Sequence, residues 1–264
     1  MTSPELMFWH ELALKMVMTA AIVVVASVAV ERSGPFIGAL IAALPTAAGA
    51  AYIILAVQHS PSFIAASAVG TMVAGTAVSV FAAAYTMLAQ RHGLLLSLGV
   101  ATLLWFAVAA VLRLVDWTAW SGVVLNAATF AVAIPLTRRY RTRTPPLQAA
   151  RTPFDIPLRA LTAAILVAVV TTLSARIGSF ASGMFAVYPI VLSSFIVILH
   201  PRVGGKAAAS VLAHAQVPFI GLSLGFLAVH YCAEPLGSWW ALTIGLAICI
   251  AWSGLLWVVR MRQG

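Results

Sequence analysis

A stretch of sequence that occurs twice decides the fold of this chain. Residues 32–55 read R-S-G-P-F-I-G-A-L-I-A-A-L-P-T-A-A-G-A-A-Y-I-I-L, and residues 176–199 read R-I-G-S-F-A-S-G-M-F-A-V-Y-P-I-V-L-S-S-F-I-V-I-L. The two copies align without a gap at an offset of 144 residues, and the matched positions include Arg32 and Arg176, Gly34 and Gly178, Phe36 and Phe180, Pro45 and Pro189, and Leu55 and Leu199. Aliphatic residues match by chance in any two apolar segments, but Arg, Gly, Phe and Pro in one register rarely do. The sequence therefore predicts an internal duplication.

The composition indicates a membrane protein. Hydrophobic residues make up 62% of the chain, charged residues only 8%, and the mean hydropathy is +1.05. Such a chain has too little polar surface to fold as a water-soluble globule. The net charge of +9 comes from basic residues spread over several short loops. This pattern does not favour nucleic-acid binding, which requires a basic surface on a soluble domain.

Nine charge-poor runs are long enough to cross a bilayer, since a spanning helix needs roughly 20 residues for roughly 30 Å of hydrocarbon. The runs are 12–30, 34–57, 61–89, 93–112, 117–136, 157–175, 177–199, 207–232 and 238–259. We therefore predict an all-α polytopic membrane protein with about nine transmembrane helices. The expected organisation is a first membrane repeat (1–115), a connector helix (116–137), a basic cytoplasmic linker (138–156) and a second membrane repeat (157–264).

The orientation follows from the positive-inside rule. If successive loops alternate between the two sides, twelve of the fifteen Lys and Arg residues fall on one side, and Lys15, Arg113 and Arg176 fall on the other. We expect a multi-pass protein of the inner (plasma) membrane with its N-terminus outside and its C-terminus in the cytoplasm.

The two copies are predicted to point in opposite directions across the membrane. Five crossings separate them, and an odd number inverts the second copy. Lys15 and Arg159 are also 144 residues apart, near the starts of equivalent helices on opposite sides. Inverted repeats of this kind are typical of secondary transporters.

Each copy carries a proline in the middle of its second helix, Pro45 and Pro189. Such a proline leaves a carbonyl without its helical donor, and in hydrocarbon that carbonyl must be satisfied by protein, water or ligand. The alternative is an ordinary bend, because prolines are common in membrane helices. We favour a substrate site, because the proline recurs in both copies and polar residues lie near it in the predicted helices.

The candidate substrate-binding residues are these prolines and the polar residues predicted at similar depth: Pro45, Thr46, Asn126, Tyr188, Pro189, Ser193, Ser194, His214 and Gln216. Of these, His214 is the one imidazole well inside a predicted span, where ionisable groups are costly and usually functional. The structural alternatives are that Ser and Thr bond their own helix and that Asn and Gln join helices. A stripe of small residues at four-residue spacing in the third helix, Ser67, Thr71, Gly75, Ser79 and Ala83, primarily predicts close helix packing, with a polar track as the second interpretation.

Several absences narrow the chemistry. All six acidic residues lie at termini, loops or helix ends, which disfavours a carboxylate-centred proton antiporter and a cationic substrate. A neutral or anionic solute fits better. Arg32 and Arg176, at the starts of the broken helices, would favour an anionic substrate if they face those helices. The alternative is that they face lipid and only fix the orientation of the chain in the membrane. We find no nucleophile elbow, phosphate-binding loop or metal-ligand spacing, so we expect no enzyme, no cofactor and no metal.

Each half resembles the small four-helix GlpM-type integral membrane proteins of bacteria. The resembling residues are G-A-L-I-A-A-L-P-T at 38–46 and, more faintly, S-G-M-F-A-V-Y-P-I at 182–190. The resemblance implies a four-helix unit, here duplicated, and implies no site residues.

Together these features predict a secondary transporter or exporter, working without ATP, that moves a small neutral or anionic solute by alternating access. The alternatives are a lipid-phosphate flippase and a non-catalytic membrane assembly subunit. The expected partners are the lipid bilayer, a small-molecule substrate and further copies of the chain in a homo-oligomer.

Overall fold

The computed structural model describes residues 46–141 and 154–262, together with helical positions at 10, 13, 16–21 and 24–25. Pro45 and the first part of the repeat, 32–45, lie outside the described residues. The two long ranges contain helices and connections only. The helices are α1 (Thr46–Gln58), α2 (Pro61–Leu88), α3 (Leu94–Leu112), α4 (Ala119–Arg138), α5 (Asp155–Ala186), α6 (Ile190–Val203), α7 (Gly205–Ala215), α8 (Pro218–Leu236) and α9 (Ser238–Met261).

Six helical segments of the described chain are long and apolar enough to cross a membrane. They are Pro61–Leu88, Leu94–Leu112, Ala119–Arg138, Asp155–Val203, Pro218–Leu236 and Ser238–Val259. The chain is thus an all-helical protein with several apolar helices compatible with a bilayer, as its composition predicts. The number of nine crossings remains a prediction.

Local sequence signals explain where α2 and α4 begin. Ser60 precedes α2 as its N-cap, and its hydroxyl accepts from the amide of Phe63 while Pro61 fills the first helical position. Thr118 and Ser121 form a reciprocal capping box at the start of α4. The predicted runs 61–89, 93–112 and 117–136 accordingly match α2, α3 and α4 to within two residues.

The second half differs from the prediction in two places. The predicted boundary between 157–175 and 177–199 is absent, because α5 continues to Ala186 with a kink at Gly178, where φ is 81°. Such a conformation is accessible to glycine because it has no Cβ. The predicted helix 207–232 is instead divided into α7 and α8. Gln216 and Val217 keep right-handed helical backbone angles, but Pro218 has no amide hydrogen to continue the helical hydrogen bonds, so α7 ends at Ala215 and α8 starts at Pro218.

Helix α2 is the centre of the bundle. In the most apolar 18-residue stretch of α2, 83% of the residues are buried, whereas in the corresponding stretch of the peripheral helix α9 only 11% are buried. Helix α2 packs against α3, α4, α5, α7 and α8. The stripe of small residues confirms the packing interpretation: Ser67, Thr71 and Ser79 are fully or almost fully buried, and Gly75 lies against the side chain of Asn126.

The two halves of the chain interleave. Helix α1 packs against α5 and α9 of the second half, and α6 packs against α3 of the first half. Two pairs of helices also begin 144 residues apart, the offset of the predicted duplication, at Pro61 and Gly205 and at Leu94 and Ser238. Under this offset α3 corresponds to α9 and α6 corresponds to α1, so the contacts α3–α6 and α9–α1 are equivalent to each other.

Candidate functional site

The break between α5 and α6 is the most distinctive feature of the apolar interior. The chain leaves the helical conformation after Ala186, and Pro189 stands before α6 with φ −77° and ψ 48°. Two tight backbone hydrogen bonds close the turn, from the amide of Tyr188 to the carbonyl of Phe185 (3.0 Å) and from the amide of Ile190 to the carbonyl of Tyr188 (2.7 Å). The structure thus places the helix break at Pro189, as the proline predicts.

Helix α2 holds the segment before this break. The hydroxyl of Thr71 donates to the carbonyl of Gly183 (2.7 Å), and because its single hydrogen is used, it accepts from the hydroxyl of Tyr52 (2.7 Å). Gly183 lies so close to α2 that a Cβ at this position would overlap the carbonyl oxygen of Ser67. The absence of a side chain at Gly183 is therefore what permits this contact.

Aromatic residues of α3 form the other wall. The ring of Tyr188 meets the ring of Trp105 edge to face, with centroids 4.9 Å apart, and lies 5.6 Å from the ring of Phe106. Trp105 is fully buried and also contacts Phe185 on the α5 side of the break. Tyr188 is therefore held by α3 rather than by its own helix.

Two unpartnered polar atoms lie at this break. Among the described residues, Trp105 Nε1 and Ser193 Oγ are buried without a hydrogen-bond partner. Trp105 contacts Phe185 and Tyr188 just before Pro189, and Ser193 lies in the first turn of α6. A third such atom, Ser67 Oγ, belongs to a residue of α2 that lies against Gly183, farther from Pro189. Since buried polar groups are nearly always hydrogen-bonded, the two atoms at the break require an explanation.

The three segments that form the walls of the break carry no formal charge, although the buried guanidinium of Arg159 on α5 lies 4.2 Å from the centre of the Phe195 ring on α6. The segments 61–88, 94–112 and 177–199, which form its walls, contain no Asp, Glu, Lys or Arg. A bound group would therefore meet only amide, indole and hydroxyl dipoles and aromatic surface from these segments.

The other predicted site residues of the second half have partners within the protein. The hydroxyl of Ser194 donates to the carbonyl of Ile190 (2.8 Å) and lies 3.0 Å from the hydroxyl of Thr162. The Nδ1 atom of His214 lies 2.8 Å from the carbonyl oxygen of Ser210, and because a carbonyl only accepts, Nδ1 carries the proton. His214 is half-buried on α7.

Gln216 and Asn126 join helices. Gln216 is fully buried, accepts from the hydroxyl of Ser79 (2.6 Å) and donates to its carbonyl (3.0 Å). Asn126 donates to the carbonyls of Met72 (2.8 Å) and Gly122 (3.0 Å), and accepts from Ser223 (3.2 Å). Their hydrogen bonds run to α2, α4 and α8 and not to residues 187–189. The side chain of Thr46, like Pro45, lies outside the described part of the chain.

Sequence reasoning missed Trp105 and two histidine contacts between the halves. His59 bonds the hydroxyl of Ser174 (2.7 Å), and His200 bonds the hydroxyl of Tyr85 (2.8 Å). Partial burial lowers the pKa of His59, which lies between α1 and α2. The partners of each histidine are far apart in the sequence, so no local signal could have identified them.

The sequence also did not reveal an ion pair at the ends of α5 and α6. Arg202 makes two hydrogen bonds to the carboxylate of Asp155, at 2.6 and 2.7 Å. The bidentate geometry ties the last turn of α6 to the first turn of α5.

Comparison of the chain with models of known families, with curated proteins and with solved structures finds no match.

Proposed function

We propose that this protein is a secondary transporter or exporter of a small solute, with its substrate site at the break between α5 and α6. The observation that carries the proposal is the combination of a non-helical turn in an apolar segment with two buried polar atoms beside it that have no partner, Trp105 Nε1 and Ser193 Oγ. Non-helical backbone in an apolar span is tolerated where it packs against protein or lines a cavity, and transporters place their substrates at such breaks.

The interleaved packing of the halves supports an alternating-access mechanism. In the proposed arrangement the two halves are inverted repeats, as the odd number of predicted crossings and the common offset of helix starts suggest. Because α6 packs on α3 and α1 packs on α9, movement of one half against the other changes the walls of the break. Pro189 and the kink at Gly178 bound the short segment that would accommodate such movement.

The test is uptake into proteoliposomes. Purified protein is reconstituted, and entry of glycerol, glucose, lactate, benzoate, succinate and inorganic phosphate is measured with and without a proton or sodium gradient. We expect at least one solute to enter faster than in empty liposomes, and Pro189→Ala to lower that rate at least about tenfold, since a continuous helix removes the turn.

A matched control is Pro135→Ala, which changes a proline inside α4 that is exposed on the bundle surface. Its uptake rate should equal that of wild type. Equal rates in wild type and Pro189→Ala contradict the site. Absence of uptake of any solute contradicts the proposed transport, and movement of fluorescent phospholipid between leaflets of the same liposomes would then identify a flippase instead.

A further inference from the structure

We infer that the break binds a monocarboxylate with an apolar body, through the N-terminus of α6, the indole of Trp105 and the hydroxyl of Ser193. This inference rests on the proposed transport function and narrows its substrate from a neutral or anionic solute to one chemical class. It begins with α6, a helix of 14 residues whose N-cap, Pro189, makes no side-chain capping bond.

The first-turn amides of a helix have no acceptor within the helix, and the aligned peptide dipoles place about half a positive charge there. At α6 the amide of Ile190 already donates to the carbonyl of Tyr188 (2.7 Å), so a ligand would use the amides of Val191 and Leu192. At α6 this end lies inside the apolar bundle, because Pro189 and Ser194 are both buried. Helix N-termini in such positions bind anionic groups.

Independent evidence for a ligand comes from the side chains around this N-terminus. Trp105 is fully buried, its Nε1 has no acceptor, and its ring contacts Tyr188, the residue before Pro189. The Oγ atom of Ser193, in the first turn of α6, is also buried without a partner. Amide and indole nitrogens only donate, and a hydroxyl can donate, so the bound group must be rich in acceptors.

The donors that surround the break, and the absence of charged side chains in its three wall segments, indicate the charge of the ligand. A carboxylate accepts at both oxygens and carries one negative charge, which a helix N-terminus and two neutral donors stabilise. A sugar carries donors that would find few acceptors here. A dianion such as phosphate needs cationic side chains in contact with it, and the three wall segments contain none. The buried guanidinium of Arg159 lies instead over the ring of Phe195, in the second turn of α6.

The remainder of the ligand is defined by the aromatic residues. The rings of Trp105, Phe106, Tyr188 and Phe185 lie around the same turn, with neighbouring centroids 4.9 to 6.1 Å apart. Such rings favour apolar or aromatic groups over hydrated ones.

The test measures binding of radiolabelled benzoate to the purified full chain in detergent. Competition by unlabelled benzamide, hexanoate, hexanamide and inorganic phosphate compares each acid with the amide of the same shape. We expect saturable benzoate binding at concentrations up to about 10 mM. Hexanoate should compete, while both amides and phosphate should compete at least tenfold more weakly.

Variants then locate the site. Ser193→Ala removes a hydroxyl that has no partner in the protein, so folding should be unaffected while benzoate affinity falls about tenfold, the effect of one lost hydrogen bond to a charged group. Trp105→Phe should likewise lower the affinity for benzoate about tenfold and leave folding unaffected. The matched control is Ser194→Ala, whose hydroxyl already bonds Ile190 and Thr162, and its affinity should equal that of wild type. Thermal midpoints of all three variants check folding.

Competition by benzamide as strong as by hexanoate overturns the carboxylate assignment, and no benzoate binding overturns the whole inference. Unchanged affinity in Ser193→Ala overturns the location. These failures differ from failure of the proposed function: if glycerol or glucose still enters proteoliposomes in a manner that depends on Pro189, the transporter stands and only its substrate class is wrong.

Discussion

Adding a single methyl group at Gly183 should disrupt the contact between α2 and α5. In Gly183→Ala the new Cβ would overlap the backbone carbonyl oxygen of Ser67. A backbone oxygen cannot move aside by changing a rotamer, so the two helices must separate by about 1 Å or more, a gap that removes a quarter to a half of each dispersion contact across it.

The separation also weakens the hydrogen bond from Thr71 to the Gly183 carbonyl, which is 2.7 Å long in the native protein. Hydrogen bonds between membrane helices contribute about 0.6 kcal/mol on average. Together with the cost of overpacking, we expect Gly183→Ala to lower the free energy of unfolding by about 2–4 kcal/mol.

The assay is SDS-induced unfolding in detergent micelles, followed by circular dichroism. Gly99→Ala is the control, since Gly99 lies in α3 with nothing within 4 Å of an added Cβ. Alanine favours helix over glycine, so this variant should match or slightly exceed wild type in stability. If Gly183→Ala is as stable as Gly99→Ala, the close contact of α5 with α2 is wrong.

Three further outcomes are expected from the same unfolding assay. Asn126→Ala removes two hydrogen bonds that join α4 to α2 and α8, together with one to the carbonyl of Gly122 within α4, and should cost about 1–2 kcal/mol; no loss would contradict the joining role. Arg202→Gln should lower stability by leaving Asp155 without its bidentate partner, and the charge-swapped double variant should restore part of the loss, because the swapped charges oppose the helix dipoles. The pKa of His59 lies below its ordinary value of 6.5 because burial disfavours the charged ring. Its contribution to stability is therefore present above pH 6.5 and is lost as the pH falls through the folded-state pKa, so wild type should lose more stability than His59→Gln between about pH 7 and about pH 5; equal losses would contradict this.

The sequence was sufficient for features that depend on local signals. Caps at Ser60 and Thr118 follow directly from the residues present, and the break at Pro189 follows from the missing amide hydrogen of proline. Site residues depend instead on partners that are distant in the chain. Ser193 and Ser194 are adjacent and chemically identical, yet one hydroxyl is unpartnered and the other bonds Thr162 on α5. Only the packing of α6 on α5 distinguishes them.

The same limitation applies to Gln216, whose role depends on a helix 137 residues away. Its amide could be assigned to a substrate because the sequence shows no competing acceptor or donor. In the folded chain the hydroxyl and carbonyl of Ser79 use both ends of that amide. A sequence does not show which backbone carbonyls a side chain will bond, and the two carbonyl partners of Asn126 could not be predicted for the same reason.

The two halves of the chain differ at one position that interrupts a helix. Pro218 occupies the place that Ala74 holds in the continuous helix α2, so the helix breaks between α7 and α8 only in the second half. The polar side chain next to this break is paired, since Gln216 bonds Ser79 on α2. At Pro189 the backbone is also satisfied, because the carbonyl of Phe185, four residues before the proline, accepts from the amide of Tyr188 at 3.0 Å. The side chains there are not, since Ser193 Oγ and Trp105 Nε1 have no partner. The two breaks therefore differ in their side chains, and this difference is why we propose that a substrate binds at Pro189 rather than at Pro218.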